Sequence, residues 1–175
     1  MTTDEETLVL KVAAGDESAF ATLTSRHLPA VSAYVMRMMA GHADAEDVIQ
    51  ETFLRFWTRA SQFDGRKSRL TTWLHNIAHN LTIDYFRRSG RFVGEDAGDP
   101  APTSGPDVEQ ERLEAAAEID RMMMSLPERQ RSALIMTHYQ GLSNRDVAEV
   151  LGISVRALES LLARARGKLR ESMKT

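Results

Sequence analysis

Residues 143–169 constrain the fold more tightly than any other stretch, because several local signals agree along them. Ser143 with Asp146 reads as a capping box opening a helix, and Val147, Val150 and Leu151 give that helix one apolar side. Gly152 and Ile153 fit a tight turn, and Ser154 is placed to cap a second helix. Val155, Leu158, Leu161, Leu162, Ala165 and Leu169 form the stripe that this helix is expected to bury. Upstream, Pro127 stands where a first helical position would, in a helix running to about Tyr139 before a turn at Gly141. The spacing is that of a helix-turn-helix, whose second helix enters the major groove with its N-terminal residues at base edges. Ser154, Arg156, Glu159 and Ser160 are the candidate readers, since arginine pairs with guanine and glutamate accepts from cytosine. Arg164, Arg166 and Lys168 are candidates for gripping phosphate; the alternative for these three is a solvated helix surface. From Ser154 to Arg170, five cations (Arg156, Arg164, Arg166, Lys168 and Arg170) oppose Glu159, a local charge of plus four.

A second informative stretch runs from Asp44 to Arg91. In DAEDVIQETFLRFW, Asp44 is expected as N-cap with Asp47 as its capping-box partner, and Val48, Thr52, Phe56 and Ile49, Phe53, Trp57 make one broad apolar face. Asp47, Gln50, Glu51 and Arg55 are left outside. After the polar loop FDGRKSR, TTWLHNIAHNLTIDYFRRSGR reads as a helix starting at Thr71 or Thr72 and ending before Gly90. Leu74, Ile77, Ala78, Leu81 and Tyr85 are expected to face a core, with Asn76, Asn80, Asp84, Arg87 and Arg88 opposite and Trp73 at the edge. From Asp64 to Arg91 six cations oppose two anions, again plus four. Such charge alone suits an ordinary solvated helix end, but here Phe63 and Trp73 can stack on unpaired bases and Asn76 and Asn80 offer amides to base edges. Arg66, Lys67, Arg87 and Arg88 complete this candidate single-strand surface.

The remaining sequence sets the frame. Leu8, Val9, Val12 and Ala13 recur at helical spacing, Gly15 and Asp16 separate that helix from the next, and Pro29 is expected to open or kink a third helix that Gly41 closes. The 9 methionines lie mostly at helical spacing and suit adaptable core filling. Between the two informative stretches, VGEDAGDPAPTSGPDVEQE holds three of the 5 prolines and no aromatic residue, and so reads as a flexible linker. From Phe92 to Asp120 nine acids face Arg112 alone, a charge of minus eight. ERLEAAAEIDRMMMSL resumes a helix with Leu113, Ala117 and Met124 inward. The expected architecture is all-α: a helical domain at 1–92, a linker at 93–111 and a helix-turn-helix domain at 112–175.

With 42% hydrophobic and 27% charged residues, 175 residues leave room for two modest cores. A net charge of −3 argues against a blanket nucleic-acid binder, so DNA contact has to come from the local patches. Absence of cysteine excludes disulfides and thiolate metal sites and fits a reducing compartment. No apolar run approaches the roughly 18 residues that span a bilayer, and MTTDEE is unlike a signal peptide, so a cytoplasmic protein without membrane insertion is expected. His75 and His79 have the i, i+4 spacing of HExxH zinc hydrolases, but Asn76 replaces the general-base glutamate and no third ligand is evident. No metal, cofactor or catalytic residue is expected.

DAEDVIQETFLRFW, the basic loop and TTWLHNIAHNLTIDYFRR resemble the second conserved region of bacterial sigma factors of the extracytoplasmic-function group, the small members of the sigma-70 class. QGLSNRDVAEVLGIS and RALESLLARARGKLR resemble the fourth region of the same group. The resemblance implies an alternative sigma factor that binds core RNA polymerase, at the beta-prime clamp and the beta subunit, and directs it to promoter DNA. Asp47, Gln50, Glu51 and Leu54 would then carry polymerase docking. Phe63, Arg66, Lys67, Trp73, Asn80, Arg87 and Arg88 would capture the melted minus-10 element, and the last helix would read minus-35 duplex. In this group the linker threads the polymerase's nucleic-acid channels, and an anti-sigma factor clasping both domains is an expected partner. The competing reading is a stand-alone helix-turn-helix regulator whose first domain dimerises or senses. It gives no reason for an acidic helix beside a basic one bearing tryptophan and asparagine.

Overall fold

The computed structural model describes residues 3–90, 118–119 and 121–173. The segment 93–111, with Arg91, Leu113 and Ala117, lies outside the described residues. The N-terminal half consists of α1 (Thr3–Ala13), α2 (Glu17–Met38), α3 (Ala45–Arg59) with a 3₁₀ turn at Ala60–Gln62, and α4 (Leu70–Ser89). The C-terminal half holds helical residues at 121–124, α5 (Glu128–Leu134), a π-helical turn (Ile135–Tyr139), α6 (Asn144–Leu151) and α7 (Val155–Ser172). Every described element is helical, and no described helix is long and apolar enough to cross a membrane.

Helix α2 is the axis of the first half. Asp16 caps it through Ala19 N at 3.0 Å, and Leu23, Val31, Tyr34, Val35 and Met38 bury one face almost completely. Contrary to expectation, Pro29 lies inside this helix and no separate third helix begins there. An interior proline costs about 3 kcal/mol. Each large apolar side chain buried around it contributes about 2 kcal/mol, so burial wins and the helix runs on. Ala40 and Gly41 then take φ of 51° and 67°, ending the run.

Helices α3 and α4 pack on α2 and on each other, with Val48, Phe53, Phe56, Leu74, Ala78 and Leu81 inward. The expected cap at Asp44 does not form: its backbone is helical (φ −71°, ψ −4°), and its carboxylate instead accepts from Tyr85 Oη at 2.8 Å. Helix α4 starts at Leu70, ahead of the expected threonines, and neither threonine caps it: Arg69 is the N-cap, and the buried Thr72 donates to Asp146 Oδ1 instead. A chain of tilted and edge-on aromatic contacts ties the intervening loop down: Phe20 meets Phe56 and Trp57 at 5.7 and 5.1 Å, and Trp73 meets Phe56 and Phe63 at 6.2 and 5.5 Å.

In the second half the capping box forms as read, Ser143 Oγ accepting from Asp146 N at 3.2 Å and Asp146 Oδ2 from Ser143 N at 3.3 Å. Gly152 takes φ 62°, where a side chain is strained, and Ser154 Oγ caps α7 through Ala157 N at 3.1 Å. Pro127 is the N-cap of α5, one place before the expected first turn. Leu158, Leu162 and Ala165 are buried, with Leu161 and Leu169 packed beside them, but Val155, expected in the same stripe, is exposed. Of the methionine run, Met123 is the buried member and Met124 is half-buried.

The two halves touch directly. Helix α4 lies against α6, and α2 lies against α5 and the π turn, so buried residues of both halves join one cluster.

Candidate nucleic-acid and protein-docking surfaces

Three exposed surfaces gather the residues singled out by sequence. On α3, Asp47, Gln50 and Leu54 are exposed and Glu51 is half-buried, with Arg55 Nε donating to Glu51 Oε1 at 2.8 Å. Leu54 stands 55% open, a large apolar side chain in an acidic surround, as a docking face needs. A shallow groove of about 490 Å³ runs beside it, lined by Asp44, Asp47, Val48, Glu51, Arg55, Leu81, Tyr85 and Arg88. Acidic α3 and basic α4 therefore meet along one groove.

The second surface is the loop after α3 and the outer face of α4. Lys67, Asn80, Arg87 and Arg88 are exposed, while Phe63, Trp73 and Asn76 are half-buried. Trp73 is thus only partly free to stack, its ring leaning on Phe56 and Phe63. Asn80 Nδ2 donates to Asn76 Oδ1 at 3.0 Å, fixing the two amides as a pair. Arg66 forms a two-pronged bond to Asp64, Nε and Nη2 each at 2.9 Å, and that bonding holds the Asp64 carboxyl down at about 2. Arg87 lies 3.2 Å from Asp84. Both ion pairs are exposed enough to be exchanged for phosphate at little cost. A second hollow, about 280 Å³, lies beside Phe63 and Arg66 and is closed on its other side by Glu6, Val9 and Leu10 of α1.

The third surface is α7. Ser154, Arg156, Glu159, Ser160, Arg164, Arg166 and Lys168 are all exposed. None of these charged groups forms a salt bridge among the described residues, and the Ser160 hydroxyl donates back to Arg156 O at 3.1 Å. The helix stands bare toward solvent, as a groove-entering helix must.

The paired histidines point elsewhere. His75 Nδ1 donates to Thr71 O at 2.8 Å, and burial holds its pKa low. Tyr34 Oη lies 2.9 Å from both His79 Nδ1 and Ser132 Oγ, which are 3.1 Å apart. Burial, with Arg129 adding to it, brings His79 to about 4, so the ring is neutral. Both rings belong to packing, and no group of three metal-ligating side chains occurs among the described residues.

Sequence reading missed the junction between the halves. Asp146 Oδ2 accepts from Arg69 Nη2 at 2.5 Å and Oδ1 from Thr72 Oγ1 at 3.0 Å. Burial works against that charge, but the bonds from Ser143, Thr72 and Arg69 outweigh it and keep the carboxyl below its ordinary range. Arg37 lies 4.0 Å above the Tyr139 ring, and the wholly buried Arg131 sits 5.4 Å from Phe86. The available signal was polar residues, Thr72, His79 and Ser132, at positions where helix periodicity demands a core.

Residues 23–92 match the family model for Sigma-70 region 2, and residues 116–169 match that for Sigma-70, region 4. The RNA polymerase sigma factor NccH of Alcaligenes xylosoxydans xylosoxydans is 32% identical over 172 residues, covering 94% of this chain and 92% of NccH. The ECF RNA polymerase sigma factor SigW of Bacillus subtilis is 28% identical, covering 95% of each chain. Among solved structures, the sigma factor RpoE of Bartonella quintana, in complex with the anti-sigma factor NepR, superposes with a TM-score of 0.70 at 27% identity, covering 89% of this chain and 97% of that one.

Proposed function

The chain belongs to the extracytoplasmic-function group of bacterial sigma-70 factors, and from that membership we propose how its three surfaces divide the work of directing RNA polymerase to promoters. The α3 face, Asp47, Gln50, Glu51 and Leu54, docks on the core enzyme. The loop and outer face of α4 hold the melted minus-10 strand: Phe63 and Trp73 stack on bases, Asn76 and Asn80 meet base edges, and Arg66, Lys67, Arg87 and Arg88 hold phosphates. Base stacking on an aromatic contributes roughly 1–3 kcal/mol, which offsets part of the cost of opening the duplex. Helix α7 reads minus-35 duplex through Arg156, Glu159 and Ser160, with Ser154 at the helix start and Arg164, Arg166 and Lys168 on phosphate. The domains are those read from sequence, 1–92 and 112–175 with the linker 93–111 between them, and the protein works in the cytoplasm. Since the RpoE relative is held by an anti-sigma factor, a comparable partner covering the α3 and α4 faces is part of this reading.

The observation that carries the proposal is the pairing, within one helical half, of an open acidic face with a basic face bearing aromatics and amides. A regulator acting alone has no use for the first. Gel filtration with and without bacterial core polymerase, followed by transcription from a promoter library, tests it. Co-elution and new promoter-dependent transcripts are expected. Tight duplex binding by the chain alone, without co-elution, would instead establish a stand-alone regulator. Purification of the native protein without any additional binding protein would count against the anti-sigma partner.

A further inference from the structure

We infer that α1 is a back wall for the loop that captures the melted minus-10 strand, and that His27 is the positioning residue that keeps this wall in place by bonding Glu5. The inference rests on the functional reading above and adds to it a residue that touches neither DNA nor polymerase.

The loop needs a wall because its own bonds reach no farther than its own residues and the turn before it. Phe63 N donates to Ala60 O at 3.1 Å, Lys67 N to Asp64 O at 3.0 Å, and the Arg66 side chain to the Asp64 carboxylate. On one side Phe63 leans on Trp73. On the other, Phe63, Asp64, Gly65 and Arg66 face Glu6, Val9 and Leu10 of α1 across the smaller hollow. Helix α1 also packs on the 3₁₀ turn Ala60–Gln62 from which the loop springs. A seated α1 therefore limits how far Phe63 and Arg66 can swing back, and keeps both within reach of a strand lying on α4. Holding a loop near its bound shape strengthens binding by lowering the cost of ordering it.

Helix α1 cannot keep that position by itself. Its 11 residues fall short of the roughly 12–15 that an isolated helix needs. Val9 and Val12 are buried and anchor its second half. The first half, Asp4, Glu5, Glu6 and Thr7, has no apolar side chain to bury, yet it carries Glu6 at the edge of the hollow. Ion pairs to α2 hold it down. Arg26 lies 3.7 Å from Asp4 and 3.9 Å from Glu5, but its side chain is 44% exposed and water screens both pairs. His27 Nε2 lies 2.8 Å from Glu5 Oε1, with the two side chains only 9% and 13% exposed. A carboxylate only accepts, so this nitrogen donates, and with little water to compete the bond outweighs the arginine pairs. His27 also lies close enough to His75, in the second turn of α4, for its charge to act on that ring. The bond thus ties the acidic end of α1 to the place where α2 and α4 meet, and neither partner belongs to the α3 docking face or to α7.

Full-length variants are assayed with core polymerase on a promoter selected with the wild-type chain, strand opening at minus-10 being read by permanganate reactivity of its thymines. His27→Leu removes the donor and should lower opening at least fivefold, while co-elution with core and affinity for minus-35 duplex stay within twofold of wild type. His27→Gln, whose amide donates at nearly the same reach, should restore opening to within twofold. Glu5→Ala cuts the same bond from the α1 side without altering α2, so it keeps the test valid if His27→Leu folds poorly. It should lower opening as much as His27→Leu does, and the two changes together should lose no more than twofold beyond either alone. Hydrogen exchange should rise in residues 4–8 and 61–68 of both variants and stay unchanged in α3. Opening within twofold of wild type in Glu5→Ala would overturn the inference, as would failure of His27→Gln to restore it. Equal losses of opening, core binding and minus-35 binding would mark simple destabilisation and overturn it as well. Absence of opening by the wild-type chain with any core would instead overturn the functional reading.

Discussion

Replacing Asp146 with alanine removes four hydrogen bonds at once: those from Ser143 N and Oγ within the cap, and those from Thr72 Oγ1 and Arg69 Nη2 across the junction. The cap contributes about 1 kcal/mol. The Thr72 hydroxyl is buried and donates to an ionised acceptor, about 1.5 kcal/mol. Arg69 is 52% exposed, so solvent screening limits its pairing to about 0.5 kcal/mol. The expected loss for Asp146→Ala is about 3 kcal/mol, a drop of roughly 6–12 °C in melting temperature for a chain of this size. Thr72→Val alone should lose about 1.5 kcal/mol. Because both variants delete the same bond, the double variant should lose about 3 kcal/mol rather than 4.5, a coupling of about 1.5 kcal/mol. Urea unfolding of the four proteins, followed by circular dichroism, measures it. Additive losses within about 0.5 kcal/mol would mean that residues 74 positions apart do not meet in solution.

Other perturbations separate the surfaces. Arg156→Ala should weaken minus-35 duplex binding by about 1–3 kcal/mol while sparing polymerase binding, and Glu51→Ala should do the reverse, by fluorescence anisotropy and co-elution respectively. Gly152→Ala should cost about 1–2 kcal/mol in a thermal melt, all of it from the left-handed backbone, since nothing lies within 4 Å of the added carbon. His79 titrates at about 4 when folded, against about 6.5 in an unfolded chain, so between those values the unfolded state binds the extra proton. Its contribution, about 3 kcal/mol, is fully present above pH 6.5 and is lost as pH falls toward 4. Melting temperature against pH should therefore slope less in His79→Gln than in wild type, and equal slopes would refute the assignment.

Local chemistry was legible in the sequence and long-range chemistry was not. Ser143, Gly152 and Ser154 announced the helix-turn-helix because each acts on backbone within three residues of itself. Asp146 was read correctly as a cap, yet its bond to Arg69 spans 77 positions and leaves no periodic trace. Asp44 failed as a cap for the same reason, since Tyr85, 41 positions away, claims its carboxylate. Pro29 misled because its local penalty is real but smaller than the burial surrounding it. On the binding surfaces, exposure of Asp47, Arg88, Arg156 and Lys168 followed from amphipathic spacing alone, whereas the half-burial of Trp73 required knowing that Phe63 folds back onto it.

The π turn at Ile135–Tyr139 sets the aim of everything that follows it. Gln140 N bonds to Ile135 O at 3.1 Å, five residues back, so the helix accommodates one residue more than an α-turn would hold. Deleting that residue would return the segment to α geometry and swing everything after it by about 100°. Tyr139 would leave Arg37, and the turn leading to Ser143 would be re-aimed. A single residue gained or lost between Pro127 and Gly141 would therefore undo the contact of Tyr139 with Arg37 and re-aim the helix-turn-helix against the N-terminal half.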